Sequence, residues 1–127
     1  MLADYKIQAM VAVKDIEVAR KFYAETLGLK QTGENQGGVS FESGGVNFFV
    51  YVSEFAGTNK ATTASWNVED IEGIVADLKA KGVEFIHYDF EWAKLEGDIH
   101  VMGDNAEAKA AWFKDPDGNI FGLNWGM

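Results

Sequence analysis

The 127-residue chain contains no cysteine, so it can build neither a disulfide framework nor a thiolate metal site and has no cysteine nucleophile. A reducing compartment is the natural setting. Cations are scarce as well: 11 Lys and Arg stand against 20 Asp and Glu, a formal net charge of -9 that repels nucleic acid and anionic membrane. Any partner selected by charge is a cation. Long apolar runs are missing, and the opening MLADYKIQAM has neither the basic nor the apolar region of a signal peptide. The expectation is a cytoplasmic protein that crosses no bilayer. Absent too are a GxxxxGK[ST] or strand-borne GxGxxG cradle and a GxSxG elbow, which leaves phosphate cradling and serine-hydrolase chemistry without residues to carry them.

What is present suffices for one domain over residues 1–127: the chain is 47% hydrophobic and 13% aromatic, enough for a sizeable core. IQAMVAV (7–13) reads as a strand, and Asp15 then offers an N-cap with Glu17 in the first turn. Ile16, Ala19, Phe22, Tyr23 and Leu27 trace one helical face before Gly28, the expected stop. GVSFE (38–42) and VNFFVYVS (46–53), joined by Ser43-Gly44-Gly45, predict a hairpin. The pattern then restarts. ATTASWNV (61–68) is strand-like, Asp70 can cap a helix carrying Ile71, Ile74, Val75 and Leu78, and Gly82 stops it before VEFIHY. VKDIE at 13–17 matches VEDIE at 68–72 in four of five letters. Asp115-Pro116-Asp117-Gly118-Asn119 is a strong turn between AAWF and IFGLNW, predicting a last hairpin. The sequence thus reads as two tandem βαβββ modules, 1–55 and 61–127, linked by EFAGTNK (54–60).

Three segments in order, AMVAVKDIEVARKFYAETLGLK (9–30), SWNVEDIEGIVADLKAKGVEF (65–85) and AAWFKDPDGNIFGLNW (110–125), resemble the vicinal oxygen chelate superfamily of glyoxalases, bleomycin- and fosfomycin-resistance proteins and extradiol dioxygenases. The resemblance implies an α+β fold in which two modules with curled mixed sheets form a cup, helices outside, with the site inside the cup. It also implies a homodimer.

In glyoxalase-like enzymes of that superfamily a divalent metal is held by side chains at recognisable spacings. A His or Gln stands seven residues before the first helix cap, which is Gln8 here, and the same spacing from Asp70 gives Thr63. A Glu usually follows the turn glycine by four, where this chain has Gly122, and the remaining donor falls near Phe48 or Phe49. A divalent ion needs several converging oxygen or nitrogen donors, and of these positions only Gln8, helped by the Thr63 hydroxyl, supplies one. The resemblance therefore points to a member with no metal and no other cofactor; the alternative is one divalent ion held by a displaced set including Gln8 and His100, in a lyase or dioxygenase.

Strand alternation places Gln8, Met10 and Ala12, then Thr63, Ser65 and Asn67, then Ile120, Gly122 and Asn124 on the faces that carry those positions. These are neutral amides and hydroxyls that can hold a ligand but cannot act as a general base near neutral pH. Trp66 and Trp125 are out of phase and should face the helices. Trp112, whose phase stays open, and Trp92, in an irregular acidic stretch, are candidate ligand contacts, as is Phe49. His87 and His100 match no compact metal motif; His100 is a candidate pH-dependent contact. Charge is lopsided: residues 84–107 hold seven acidic side chains against Lys94 alone, either a solvated rim or an attractor for cations. The expectation is a small-molecule binding protein of the bleomycin-resistance type for a cationic or aromatic compound. Its ligand face would comprise Gln8, Met10, Phe49, Thr63, Ser65, Trp92, His100, Trp112, Gly122 and Asn124.

Overall fold

Residues 1–126 are described in a computed structural model, and the chain divides between Thr58 and Asn59 into two compact units. Each unit combines strands with one α-helix, an α+β architecture.

The first unit contains β1 (Ala9–Val13), α1 (Ile16–Lys21), β2 (Lys30–Glu34), β3 (Gly38–Ser43) and β4 (Val46–Val52). They form one sheet in the order β1-β4-β3-β2, with β1 parallel to β4. The α1 start follows from Asp15, whose carboxylate accepts from the N–H groups of Glu17 (2.9 Å) and Val18 (3.4 Å). Glu17 in the first turn and Arg20 and Lys21 in the last match the helix dipole. The helix then widens into a π-turn, Phe22–Thr26, and Gly28 at φ +72 adopts the left-handed conformation that glycine tolerates best. That turn seats Tyr23 in the core against Phe41 and Phe48. Val11, Val13, Val39 and Val50 complete the buried face. On the opposite face Met10 pairs with Phe49, Ala12 with Tyr51 and Ser40 with Phe49. The predicted strand from Ile7 begins only at Ala9, because Ile7 and Gln8 have no partner strand.

The second unit contains β5 (Thr62–Asn67), α2 (Ile71–Ala80), β6 (Phe85–Ile86), β7 (Ala93–Glu96), β8 (Ile99–Met102), β9 (Ala108–Lys114) and β10 (Ile120–Trp125). The sheet order is β5-β10-β9-β8-β7, with β6 beside β9 and β5 parallel to β10. The internal repeat is visible in the caps: Asp70 accepts from Gly73 N–H at 3.0 Å, as Asp15 does one repeat earlier. Ile71, Val75 and Leu78 bury the inner side of α2. Glu72 of α2 pairs with Lys109 of β9, so the sheet face carrying Lys109, Ala111 and Phe113 is the helix face. Trp66 stacks there with Phe113 and Phe121, and Trp125 lies beneath the Lys109 ammonium.

Two expectations are corrected in this unit. VEFIHY contributes only the two-residue β6, because the chain leaves the β9 edge after Ile86. The acidic stretch is not irregular throughout: Ala93–Glu96 and Ile99–Met102 form the β7–β8 hairpin, whose outer strand is only four residues long and mostly exposed. No helix among the described residues is long and apolar enough to cross a membrane.

Candidate functional site

In the second unit, the sheet face turned away from α2 collects most of the candidate residues. Register puts Trp112 opposite Gly122, Gly122 opposite Ser65, Asn124 opposite Asn67, and both Asn124 and His100 opposite Ala110. Directly paired residues share a face, so Ser65, Trp112, Gly122, Asn124 and His100 come together and the phase of Trp112 is settled. Thr63 falls in the register shift between Ile120 and Phe121 and is skipped by the β5–β10 pairing.

Gly122 matters for what a side chain there would meet. Its backbone is not left-handed, so the residue is not required by conformation. A Cβ would stand 3.3 Å from Ser65 Cβ and 3.4 Å from Trp112 Nε1. The indole edge therefore lies across β10 where a longer side chain would rise. Ser65 Oγ accepts from Asn124 Nδ2 at 3.3 Å, which leaves its own proton free to donate. Trp112 Nε1 has no hydrogen-bond partner among the described residues, yet it is not among the enclosed polar atoms, so its N–H opens to solvent.

The other side of Trp112 is an aromatic cluster. Tyr88 and His100 each meet its ring edge-on with centroids 5.0 Å apart. Phe90 stands at 5.8 Å and carries Trp92 stacked at 4.3 Å and 15°. Trp92 is 59% exposed, the outer end of a stack that runs inward to Trp112. His100 is 1% exposed. Its Nε2 lies 2.9 Å from the Tyr88 backbone nitrogen and 3.2 Å from the Tyr88 carbonyl oxygen, and its Nδ1 is enclosed without a polar partner. The imidazole packs beneath the aromatic layer and pins the segment that bears Tyr88, Phe90 and Trp92.

The carboxylates nearby have other work. Asp98 meets Lys79 Nζ at 2.8 Å and His87 Nε2 at 2.7 Å, and the Lys79 hydrogen bond, followed by that from His87, holds its carboxyl below the usual range. This ties the β7–β8 turn to the end of α2. Nineteen residues separate Asp98 from Lys79, so no local pattern signalled the pair. Buried Asp115 accepts from Asp117 N–H, Asn119 N–H and Asn119 Nδ2 at 2.8–2.9 Å and is spent on its own turn. Glu84, Asp89, Glu91, Glu96, Asp104 and Glu107 are exposed.

Gln8, Met10 and Phe49 belong to the first unit. Met10 and Phe49 are paired on the face away from α1, Phe48 is committed to the helix side against Tyr23, and Gln8 lies exposed ahead of β1.

Comparison with known proteins follows this geometry. The profile of the Glyoxalase/Bleomycin resistance protein/Dioxygenase superfamily matches residues 7–123. No curated protein matches. Among solved structures, a glyoxalase family protein from Enterococcus faecalis is similar at TM-score 0.73 and 20% identity, covering 98% of this chain and 99% of that one. The fosfomycin resistance protein FosX from Listeria monocytogenes is similar at 0.72 and 15%, covering 97% and 93%, and it has also been solved with Mn(II) and sulfate. Lactoylglutathione lyase from Agrobacterium tumefaciens is similar at 0.68 and 15%, covering 96% and 93%.

Proposed function

Because the chain belongs to the Glyoxalase/Bleomycin resistance protein/Dioxygenase superfamily, we propose that it is a binding member of that group, a metal-free protein that sequesters a small cationic or aromatic compound. One observation carries this reading: at the position where the superfamily's enzymes place a carboxylate ligand stands Gly122, and the Trp112 indole lies 3.4 Å from where its Cβ would be. The residues at the superfamily's metal positions do not fit the ion. Gln8 offers one neutral oxygen, Thr63 one hydroxyl, Phe49 and Gly122 nothing, and a catalytic divalent ion needs about three protein donors and an open position. No chemical step is therefore assigned to a metal.

What these groups do is hold and orient. Ser65, Asn124 and the Trp112 N–H are neutral hydrogen-bonding groups, and the one imidazole that register puts beside them among the described residues, His100, is 1% exposed with its Nε2 engaged by the Tyr88 backbone. The Phe90–Trp92 stack, edge-on to Trp112, offers flat apolar area, and Asp89 and Glu91 flank Phe90 in a stretch whose exposed charge draws cations. The alternative, a metal-dependent lyase or dioxygenase using Gln8 and His100, has no favouring geometry, because His100 is enclosed with one nitrogen committed. The proposal includes a homodimer in the cytoplasm. Exposed Ile7, Met10, Val46 and Phe55 in the first unit support a second copy as partner, and sedimentation at dilute concentration reports it: a dimer agrees and a monomer contradicts. Binding itself is tested by a small-molecule screen read in tryptophan fluorescence. Saturable quenching by flat cationic compounds is expected, and a screen in which no compound perturbs the emission overturns the reading.

A further inference from the structure

The pairing of Trp112, Gly122 and Ser65 says more about the ligand than its size. The Trp112 indole N–H has no partner among the described residues and opens to solvent. The Ser65 hydroxyl is exposed, and because Asn124 Nδ2 already donates to its oxygen at 3.3 Å, its remaining capacity includes its own proton, free to rotate toward an acceptor. Both side chains border one point: the missing Cβ of Gly122 would lie 3.4 Å from Trp112 Nε1 and 3.3 Å from Ser65 Cβ. Alanine or anything larger would crowd them apart. The site thus presents two neutral donors side by side, and among the residues that register places beside them there is neither a carboxylate nor an ammonium: Ala110, Gly122, Asn124 and Ile86 are the neighbours by pairing.

We propose that Trp112 Nε1–H and Ser65 Oγ–H form a donor pair for one uncharged acceptor oxygen, the carbonyl of an amide, lactone or ketone, on a flat ligand lying over Gly122. This rests on the binding reading above and deepens it. An anionic oxygen would find no cation among the residues paired with Trp112 and Ser65, the nearest on this face, Lys114, standing opposite Ile120, and a group that only donates would leave two donors facing two donors. Tyr88 and Phe90, edge-on to the indole, hold the ring so that its N–H points across β10 rather than turning with the side chain.

The experiment uses the full chain labelled with 15N and two probes that differ by one oxygen, coumarin and 2H-chromene. Indole N–H signals are followed during titration, with the Trp112 signal assigned by its loss in Trp112→Phe. Coumarin should move the Trp112 N–H downfield and bind about tenfold more tightly than 2H-chromene, the worth of a neutral hydrogen bond. Ser65→Ala and Trp112→Phe should each erase most of that preference, read as the ratio of coumarin to 2H-chromene affinity within each variant. Ser65→Ala alters only an exposed hydroxyl, so its result stands even where Trp112→Phe folds poorly. Equal affinity for the two probes, or a coumarin preference that survives Ser65→Ala, overturns the donor pair. A failure of both probes while a flat cation such as acridine orange still quenches tryptophan emission also overturns the donor pair but leaves the binding reading standing; failure of all three overturns both.

Discussion

Replacing Gly122 by Glu restores the carboxylate that metal-binding members of the superfamily carry, and it tests whether Trp112 truly fills that place. The first carbon alone would approach Ser65 Cβ to 3.3 Å and Trp112 Nε1 to 3.4 Å, so the indole must shift by a few tenths of an ångström at least. Overpacking of this kind costs about 1–3 kcal/mol. The carboxylate then rises from a buried backbone position, and the nearest cation that register puts on this face is Lys114, opposite Ile120 rather than Gly122. Its incomplete pairing adds about 1–3 kcal/mol. Gly122→Ala separates the two effects: it carries the steric part, partly offset by about 0.5–1 kcal/mol of chain entropy. Urea unfolding should therefore rank wild type above Gly122→Ala above Gly122→Glu, with the Glu variant lower by roughly 2–5 kcal/mol. Metal titration of the Glu variant should show no tight site, since position 63 still carries a hydroxyl in place of an imidazole. A Gly122→Glu protein as stable as the parent, with the Trp112 indole resonance unmoved, would refute the steric argument.

Asp98→Asn removes the ion pairs with Lys79 and His87 and should cost about 1–2 kcal/mol by urea unfolding. Because the Asp98 carboxyl titrates below its ordinary value, the stabilisation is fully present above the unfolded value of about 4. It is lost as pH falls through the folded value, so the gap between wild type and variant should close in strong acid. Trp92→Ala should weaken the binding of flat cations several-fold with little change in melting temperature, since the ring is stacked on one face and 59% exposed; a large stability loss with unchanged binding would place Trp92 in the core instead. Gly38→Ala should destabilise by about 3 kcal/mol or more, because its Cβ would collide with the Val50 carbonyl on the neighbouring strand; a thermal melt equal to wild type would contradict that register.

Residues with a local signature were legible in the sequence. Asp15 and Asp70 cap the helices one repeat apart, Gly28 and Gly82 end them in left-handed conformations, and the Asp115–Asn119 turn closes the last hairpin. Strands without a buried face were not. Lys30–Glu34 is an edge strand with four of five residues exposed, and Ala93–Glu96, at an edge of the second unit's sheet, is four residues long with three exposed. The first carries no apolar alternation, and the second alternates over only four residues, the shortest run that strand reading can use. The candidate face was readable only in part. Alternation alone grouped Ser65, Gly122 and Asn124, whereas the placement of Trp112 needed its pairing with Gly122. The enclosure of His100 depends on Tyr88 twelve residues away, a tertiary contact that no spacing encodes. The acidic excess proved divided in role: Asp98 is structural, and the rest faces solvent.

The central claim is that this member of the superfamily binds its ligand without a metal, and metal content tests it most directly. Protein purified without chelator is analysed for bound metal and then titrated calorimetrically with Mn(II), Fe(II), Ni(II) and Zn(II). The account predicts no stoichiometric uptake of any of the four, with coumarin or flat-cation binding unchanged by added chelator. One tightly held ion per subunit, removed by chelator together with ligand binding, would contradict it.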